Sequence, residues 1–397
     1  MSRRWLMLAV VFVARLSLGF QFQSIGSVTP LIVSDLRLSY AEIGWLIGLF
    51  SLPGVVLAFP DGLLGRRFGE RPVATGGLAL MALGALITSA SDSFAVAAVG
   101  RTLSGAGFIF ANIVFAKMVA DWFAGKEIAT AMAVMLTAWP VGIGLALASL
   151  GAIANAFSWR MAVNAGALAA LLGLALVLVV YRRPPAAGAA PVADATIRPQ
   201  EVRLSIVGGL AWGVQNGALF VFFGFAPALL AARGASVGEA GAIVSVTVWA
   251  ALLTIPLAGQ FVDRVGHADY VIVFGAVATA LCIGALPGFG APTFWCVMIA
   301  LAGATAPGAI MALLPRAVRP EALGTAFGIF YTVYYAVVAI AQPLAGLVRD
   351  RGGDAAGPIV FAALLMGGTA VAHLFFIAMR AVPRRGASPP FRQSSHT

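Results

Sequence analysis

The segment Gly62-Leu-Leu-Gly-Arg66-Arg67-Phe-Gly69 returns 197 positions later as Gly259-Gln-Phe-Val-Asp263-Arg264-Val-Gly266. Each copy lies between two long apolar runs, which is typical of a short polar connection between hydrophobic helices. A second pair, Trp139-Pro140-Val-Gly142-Ile-Gly144 and Gln342-Pro343-Leu-Ala-Gly346, is separated by 203 positions. Because both separations are close to half of the 397 residues, the sequence predicts two similar halves.

The composition is that of a membrane protein. Hydrophobic residues make up 61% of the chain and charged residues only 10%, whereas about a quarter of the residues in soluble domains are charged. The 46 glycines favour closely packed membrane helices, and the continuous apolar runs lack the alternation that a membrane barrel requires. The two cysteines, Cys282 and Cys296, lie in apolar runs, so they predict neither a disulfide framework nor a metal site.

The apolar runs are long enough to cross a bilayer as helices, which takes about 20 residues each. We predict twelve membrane helices, over residues 6–30, 42–64, 72–91, 94–119, 129–153, 159–181, 204–230, 237–261, 269–289, 292–314, 323–348 and 356–380. The fold class expected is an all-α integral membrane protein with two pseudo-symmetric six-helix bundles.

The longest polar stretch divides the chain between the sixth and seventh predicted helices. We therefore expect an N-terminal bundle over 1–181, a linker over 182–203, a C-terminal bundle over 204–381 and a tail over 382–397.

The basic residues predict the orientation. Of the 25 Lys and Arg residues, 17 fall on the side of the chain ends, five on the opposite side and three (Arg15, Arg101 and Lys117) within predicted spans. Because positive residues accumulate in cytoplasmic loops, we expect both termini in the cytoplasm. The net charge of +10 is spread between hydrophobic spans and forms no single basic face, so no nucleic-acid partner is expected.

With these features the chain resembles the major facilitator superfamily of secondary transporters over essentially its full length. The two repeated loops look like the G-x-x-x-D-R-x-G motif of that family, and Arg101-Thr-Leu-Ser-Gly105-Ala-Gly107 is similar to its R-x-x-x-G-x-G motif. Asp121-Trp122-Phe123 with Lys126-Glu127 resembles loops of its cyanate-type and organic-anion branches. The resemblance implies a small-molecule carrier in the bacterial inner membrane, working as a monomer without a cofactor by alternating access between the two bundles.

The first loop departs from the family pattern. Arg66 occupies the position of the motif aspartate, and Glu70-Arg71 replaces an Arg-Arg pair. The resemblance implies that the loop aspartate latches the cytoplasmic side against a helix N-terminus in the other half, where a carboxylate is favoured. The latch is therefore expected only at Asp263, unless Asp61 or Glu70 substitutes. The residues expected to act in gating are Gly62, Arg66, Arg67, Gly69, Gly259, Asp263, Arg264, Gly266, Pro140 and Pro343.

Two arginines lie at membrane depth without an acidic residue beside them in the sequence. A charge at the middle of a membrane helix costs at least about 2.5–3.5 kcal/mol, so Arg15 and Arg101 require a partner or a polar cavity. A guanidinium presents a planar fork that matches a carboxylate, and we therefore infer an anionic substrate. As an alternative, Arg101 orients helices by bonding backbone carbonyls, because it lies in a motif shared by carriers of many substrates. Lys117 is expected to reach the interface.

Polar side chains on several helices extend this prediction to a binding site, although each alone could instead join neighbouring helices. The predicted substrate-binding residues are Arg15, Gln23, Arg101, Asn112, Gln215, Asn216, Tyr331 and Tyr335.

The chain offers few groups for proton coupling or catalysis. His373 is the one histidine in a predicted span and is either a proton site or a packed structural residue. No nucleotide-binding loop and no clustered acid–base pair, nucleophile or metal-ligand set occurs in the sequence, so we expect neither an ATP-driven pump nor an enzyme. Two alternatives to an anion carrier stay open: an exporter of neutral or amphiphilic compounds, and a receptor with a transporter fold.

Overall fold

The computed structural model describes residues 3–58, 67–184, 196–265, 268–311 and 313–381, and the regular structure of these residues is helical. The helices of the N-terminal half are α1a (Arg3–Ser27), α1b (Thr29–Leu36), α2a (Tyr40–Gly48), α2b (Gly54–Leu57), α3 (Glu70–Ser89), α4 (Phe94–Trp122), α5 (Ile128–Ala156) and α6 (Trp159–Val179).

The C-terminal half repeats this order with one long helix per span, except for the tenth. Its helices are α7 (Pro199–Ala232), α8 (Val237–Val265), α9 (Ala268–Ala285), α10a (Pro292–Gly303), α10b (Ala306–Met311), α10c (Leu313–Ala317), α11 (Leu323–Gly352) and α12 (Gly357–Ala381). The predicted twelve-span, two-bundle fold is confirmed. Ten spans of the described residues are helices long and apolar enough to cross a membrane, and the second and ninth spans complete the set with shorter helices.

The second span is broken where the sequence predicted one continuous helix over 42–64. Between α2a and α2b, Pro53 has no N–H to donate to the helix ladder, and tighter turn bonds take its place, such as that from the N–H of Gly54 to the carbonyl of Ser51 at 3.0 Å. The break lies against α11: the ring of Tyr335 occupies the space beside Gly54, and the hydroxyl of Thr332 donates to the carbonyl of Val55 at 3.4 Å.

The seventh span begins at Pro199, five residues before the predicted start. Proline suits the first turn of a helix, and the Glu201 carboxylate accepts from the backbone N–H of Arg198 at 2.8 Å, which caps the free end. The same carboxylate accepts from Arg319 Nε at 2.7 Å, and this bond raises the pKa of the Arg319 guanidinium. At 34 residues, α7 is roughly 51 Å long and extends beyond a ~30 Å hydrocarbon core.

The two halves meet along three helix pairs: α1 with α7, α2 with α11, and α5 with α8. The side on which α1 begins and α12 ends is called here the terminal side, and the opposite side, with the connections at 37–39 and 353–356, the far side. Of the described residues, those that join the halves by hydrogen bonds or ring contacts lie near the middle of the spans or between the middle and the far side. The structure is therefore closed on the far side.

Candidate functional site

Arg15 lies in the middle of α1a and faces the C-terminal half. Its side chain is only 8% exposed. One guanidinium nitrogen, Nη1, makes a long 3.5 Å bond to the carbonyl of Asn112 in α4, and among the described residues Nε has no hydrogen-bond partner. Tyr335 and Tyr331 of α11 lie near its charge across the interface, and no described carboxylate pairs with it. A buried cation thus retains unused donor capacity between the halves.

Three tyrosines of α11 form an aromatic wall beside Arg15. The ring centroids of Tyr334 and Tyr335 are 4.8 Å apart, and those of Tyr331 and Tyr335 are 6.3 Å apart. Trp212 of α7 stacks on Tyr334 at 6.4 Å. Tyr331, Tyr334 and Trp212 are partly exposed, whereas Tyr335 is buried. Three of the four rings of this wall therefore retain exposed surface.

A second group of rings covers the site towards the far side. Phe22 lies seven residues beyond Arg15 along α1a, or about 10 Å. Its ring contacts Trp139 at 5.4 Å in the N-terminal half and Phe220 at 4.6 Å across the interface. Phe108 continues the group, at 5.1 Å from Trp139 and 6.5 Å from Tyr335. These rings, which we call the aromatic roof, lie between the site and the far side.

Gln23, Gln215 and Asn216 occupy different positions around this region. Gln23 is bonded across the halves above the roof, with Nε2 donating to the carbonyl of Phe223 at 2.8 Å. Asn216 donates to the carbonyl of Trp212 within its own helix at 2.9 Å. Gln215 is buried, and its Oε1 has no partner among the described residues, as is also true of Asn112 Oδ1. Gln215 and Asn112 thus retain free polar atoms, whereas the amide donors of Gln23 and Asn216 are engaged.

Arg101 is fully buried and bonded to backbone carbonyls. It donates from Nε to Leu46 at 2.9 Å, from Nη1 to Gln21 at 3.1 Å and from Nη2 to Phe22 at 3.3 Å. Its guanidinium also lies 4.7 Å from the ring centre of Phe50. These contacts support the alternative that Arg101 fixes α4 against α1 and α2. Its role in substrate binding stays a prediction.

We expect Arg101→Gln to lower the stability of the folded protein strongly. The substitution removes the guanidinium bonds to three buried carbonyls and leaves a shorter side chain in the space of the guanidinium. A lost bond to a charged group typically costs about 1.5–3 kcal/mol. The thermal unfolding temperature in detergent measures the effect. Arg15→Gln is the control: because Arg15 makes a single long bond, its loss should shift unfolding far less. Equal shifts for the two variants would contradict the structural role of Arg101.

Glycines bring the halves into backbone contact on the far side, along what we call the far-side seam. In α2a, a Cβ on Gly44 would overlap the carbonyl of Gln342, and one on Gly48 would overlap that of Ala339. In α11, Gly346 lies in the same way against the carbonyl of Tyr40. The Gly44-x-x-x-Gly48 spacing is the sequence signal for such a close crossing, and sequence analysis missed it.

Asp350 closes the end of this seam. Its carboxylate accepts from the backbone N–H of Tyr40 at 2.9 Å and from that of Ala41 at 2.8 Å, at the N-terminus of α2a. A carboxylate is favoured at the positive end of a helix. The guanidinium of Arg349 lies 3.6 Å from the ring centre of Tyr40. Sequence analysis missed this contact because the partners are some 310 positions apart.

Comparison with known proteins identifies the family. The model of the Major Facilitator Superfamily matches residues 11–226 and again 204–396. The chain belongs to this superfamily. It is thus a membrane transporter of small solutes, and its relatives are transporters rather than enzymes.

Individual members of the superfamily resemble the chain at low identity. The MFS transporter asaE of Aspergillus flavus is 26% identical over 368 residues, or 87% of this chain and 79% of the relative. The 3-(3-hydroxy-phenyl)propionate transporter of Escherichia coli is 24% identical, over 72% of this chain and 73% of the relative. The crystal structure of the nucleoside transporter NupG superposes with a TM-score of 0.75 at 16% identity, over 96% of this chain and 100% of that chain.

The predicted gating residues of the superfamily motif are only partly described. Gly62, Arg66 and Gly266 lie outside the described residues, as do the side chain of Asp263 and the surroundings of Gly259. Arg67 and Arg264 are exposed, and Gly69 has the positive φ of 84° that favours glycine. Pro343 lies on the far-side seam against Gly44, whereas Pro140 lies inside α5. Their roles in gating stay predictions.

Glu70 is bonded within its own half in this structure. Its carboxylate lies 2.6 Å from Lys117 Nζ, which also meets Asp121 at 2.7 Å. Lys117 thus reaches the terminal side, as expected, but it is held there by two carboxylates. The ion pair with Lys117 holds Glu70 within its own half. In this conformation, Glu70 therefore does not take the place of the missing motif aspartate. The other candidate, Asp61, lies outside the described residues.

His373 has a carboxylate partner that sequence analysis missed. Its Nε2 lies 3.0 Å from Oδ1 of Asp269 in the first turn of α9, and Arg380 lies 3.2 Å from the other oxygen. The side chain is fully buried between α9 and α12, and among the described residues Nδ1 has no partner. The site is therefore inside the C-terminal bundle, away from Arg15. A part in proton coupling stays a prediction.

If His373 binds the coupled proton, His373→Gln should remove the pH dependence of concentrative uptake and leave the exchange of labelled for unlabelled substrate intact. Glutamine can still reach Asp269, so the fold is retained. Uptake into proteoliposomes with and without an imposed pH gradient measures the effect. A variant with the pH profile of the wild type would leave His373 as a packed residue.

Proposed function

We propose that the protein moves a small organic anion across the membrane, by secondary active or facilitated transport, through alternating access between its two bundles. The observation that supports this is Arg15: a buried guanidinium at the interface of the halves, with an unpartnered Nε and no described carboxylate beside it. A buried charge without a counter-charge is costly, and a bound anion would remove that cost. The bidentate donor geometry of arginine suits a carboxylate.

The orientation and the conformation follow from one further proposal. With both termini in the cytoplasm, as the distribution of basic residues indicates, the far side is the extracytoplasmic side. The far-side seam and the aromatic roof then close the route outward, and the structure represents an inward-facing state. We propose a bacterial inner membrane as the location and a working monomer as the unit, with the 182–203 segment linking the bundles.

One relative supports the choice of cargo. The Escherichia coli relative is named for 3-(3-hydroxy-phenyl)propionate, an organic carboxylate. That protein matches 72% of this chain, so the likeness extends into both halves. A carboxylate cargo is consistent with the unpartnered Nε of Arg15.

Uptake into proteoliposomes tests the proposal. Small carboxylates and their neutral amides are compared pairwise, with inorganic anions as a third set. We expect saturable uptake of at least one anion and none of its amide. Transport of neutral or amphiphilic compounds in preference to anions would instead favour the exporter alternative, for which the aromatic roof offers an apolar surface. Tight binding without flux would favour a receptor.

A further inference from the structure

The site offers one uncommitted positive charge. Of the described cations in the interior turns of the N-terminal helices, Arg101 is committed to three carbonyls and Lys117 to two carboxylates. Arg15 alone among these has a donor without a partner. A cargo with one carboxylate can therefore be neutralised at this site, whereas a second carboxylate would be buried without a counter-charge.

Aromatic rings lie near that charge. Tyr331 and Tyr335 of α11 lie near Arg15, and Phe108 links Tyr335 to the aromatic roof. Tyr331 is partly exposed, with its ring tilted 34° from that of Tyr335. Aromatic pairs prefer offset or edge-to-face arrangements with centroids 4.5–7 Å apart, and the spacings of the α11 wall all lie in this range. A flat unsaturated ring can extend this series.

We propose that the cargo is an aromatic monocarboxylate, whose single carboxylate binds Arg15 and whose ring packs against Tyr331 and the neighbouring rings. This inference rests on the proposed anion transport. It adds that the substrate contains an aromatic ring and carries a single negative charge. Tyr331 is then the residue that determines specificity for the ring, because it combines exposure with proximity to Arg15.

Four probes of similar size separate these features. Benzoate has the ring and one carboxylate, cyclohexanecarboxylate lacks the unsaturation, benzamide lacks the charge and terephthalate has a second carboxylate. Their affinities are measured on the full-length purified protein by ligand-induced thermal stabilisation, and their transport by competition with labelled benzoate in proteoliposomes. We expect benzoate to bind about 3- to 10-fold more tightly than cyclohexanecarboxylate. Benzamide and terephthalate should bind at least ~10-fold more weakly than benzoate.

Substitutions of Tyr331 test whether this residue causes the preference for an aromatic ring. Tyr331→Leu should bring the ratio of benzoate to cyclohexanecarboxylate affinity close to one, and Tyr331→Phe should retain the ratio because it keeps the ring. Phe274→Leu is the matched control, since Phe274 is an exposed ring on α9 (77%). Its ratio should equal that of the wild type. A ratio retained in Tyr331→Leu would remove Tyr331 from the specificity site.

The outcomes distinguish this inference from the function on which it rests. Equal affinity for benzoate and cyclohexanecarboxylate, with both above benzamide, overturns the aromatic cargo and leaves anion transport in place. Transport of terephthalate at the rate of benzoate overturns the single charge in the same way. Equal affinity for benzoate and benzamide overturns anion transport itself. If none of the four probes stabilises the protein while a small anion without a ring does, the aromatic inference alone is overturned. If no anion stabilises the protein, the result contradicts both the aromatic inference and the proposed anion transport.

Discussion

Replacement of Arg15 by glutamine is expected to abolish saturable anion uptake. Truncating one partner of a buried, hydrogen-bonded charge pair costs about 2–5 kcal/mol, which corresponds to at least ~30-fold weaker binding. The uptake rate of Arg15→Lys should lie between those of the wild type and Arg15→Gln, because lysine keeps the charge but lacks the planar fork of arginine. Initial rates of uptake over a range of substrate concentrations, in proteoliposomes with matched protein content, measure the effect.

Arg203→Gln is the matched control for this experiment. Arg203 belongs to α7 but is exposed, so its loss removes one positive charge from the protein without touching the site. Its uptake should equal that of the wild type. If Arg15→Gln transports anions at the wild-type rate while remaining folded, the anion does not bind at Arg15, and the central observation behind the proposed function is lost.

Replacement of Gly48 by leucine is expected to stop transport while leaving the protein folded. A side chain there meets the backbone carbonyl of Ala339, which cannot move aside as a flexible side chain would. The far-side seam then cannot close, and a transporter that cannot close one side cannot complete an alternating-access cycle. Flux in proteoliposomes should fall to the background level, whereas substrate-induced thermal stabilisation should persist in the conformation open to the far side.

Gly367→Leu provides the control for Gly48. Gly367 lies in α12, and a Cβ at this position would have no described atom within 4 Å. Both variants place the same side chain in a membrane helix, but only one places it between the halves. Normal flux in Gly48→Leu would show that close contact of α2a with α11 is not needed for the cycle.

The spans could be predicted from sequence because hydropathy over about 20 residues is a local property. The break of α2 was not predicted, although Pro53 lay within the predicted helix. Proline is tolerated in many membrane helices when neighbours satisfy the freed carbonyls, as α5 shows at Pro140 and α11 at Pro343. Whether a proline breaks a span therefore depends on the neighbouring helix, which the local sequence does not contain.

The candidate site was only partly predictable for the same reason. Arg15 and Arg101 look alike in sequence, as arginines in apolar runs, but α1 and α2 present carbonyls to Arg101 alone. The pairing of His373 with Asp269 joins residues 104 positions apart, so helix packing and not spacing determines it. The residue types in the apolar runs predicted which charges are buried. The partners of those charges could be identified only from the packing of the helices.

The far-side seam makes closure on that side nearly independent of ionic strength. Glycine Cα atoms against peptide oxygens carry no net charge, so dissolved ions screen nothing there. Asp350 and Arg349, at the end of the seam, add contributions that salt weakens. The far-side seam should therefore close almost equally well at low and at high salt concentration. A strong dependence of the transport rate on salinity should then arise from the approach of the anion through solvent, because its contact with buried Arg15 is screened little.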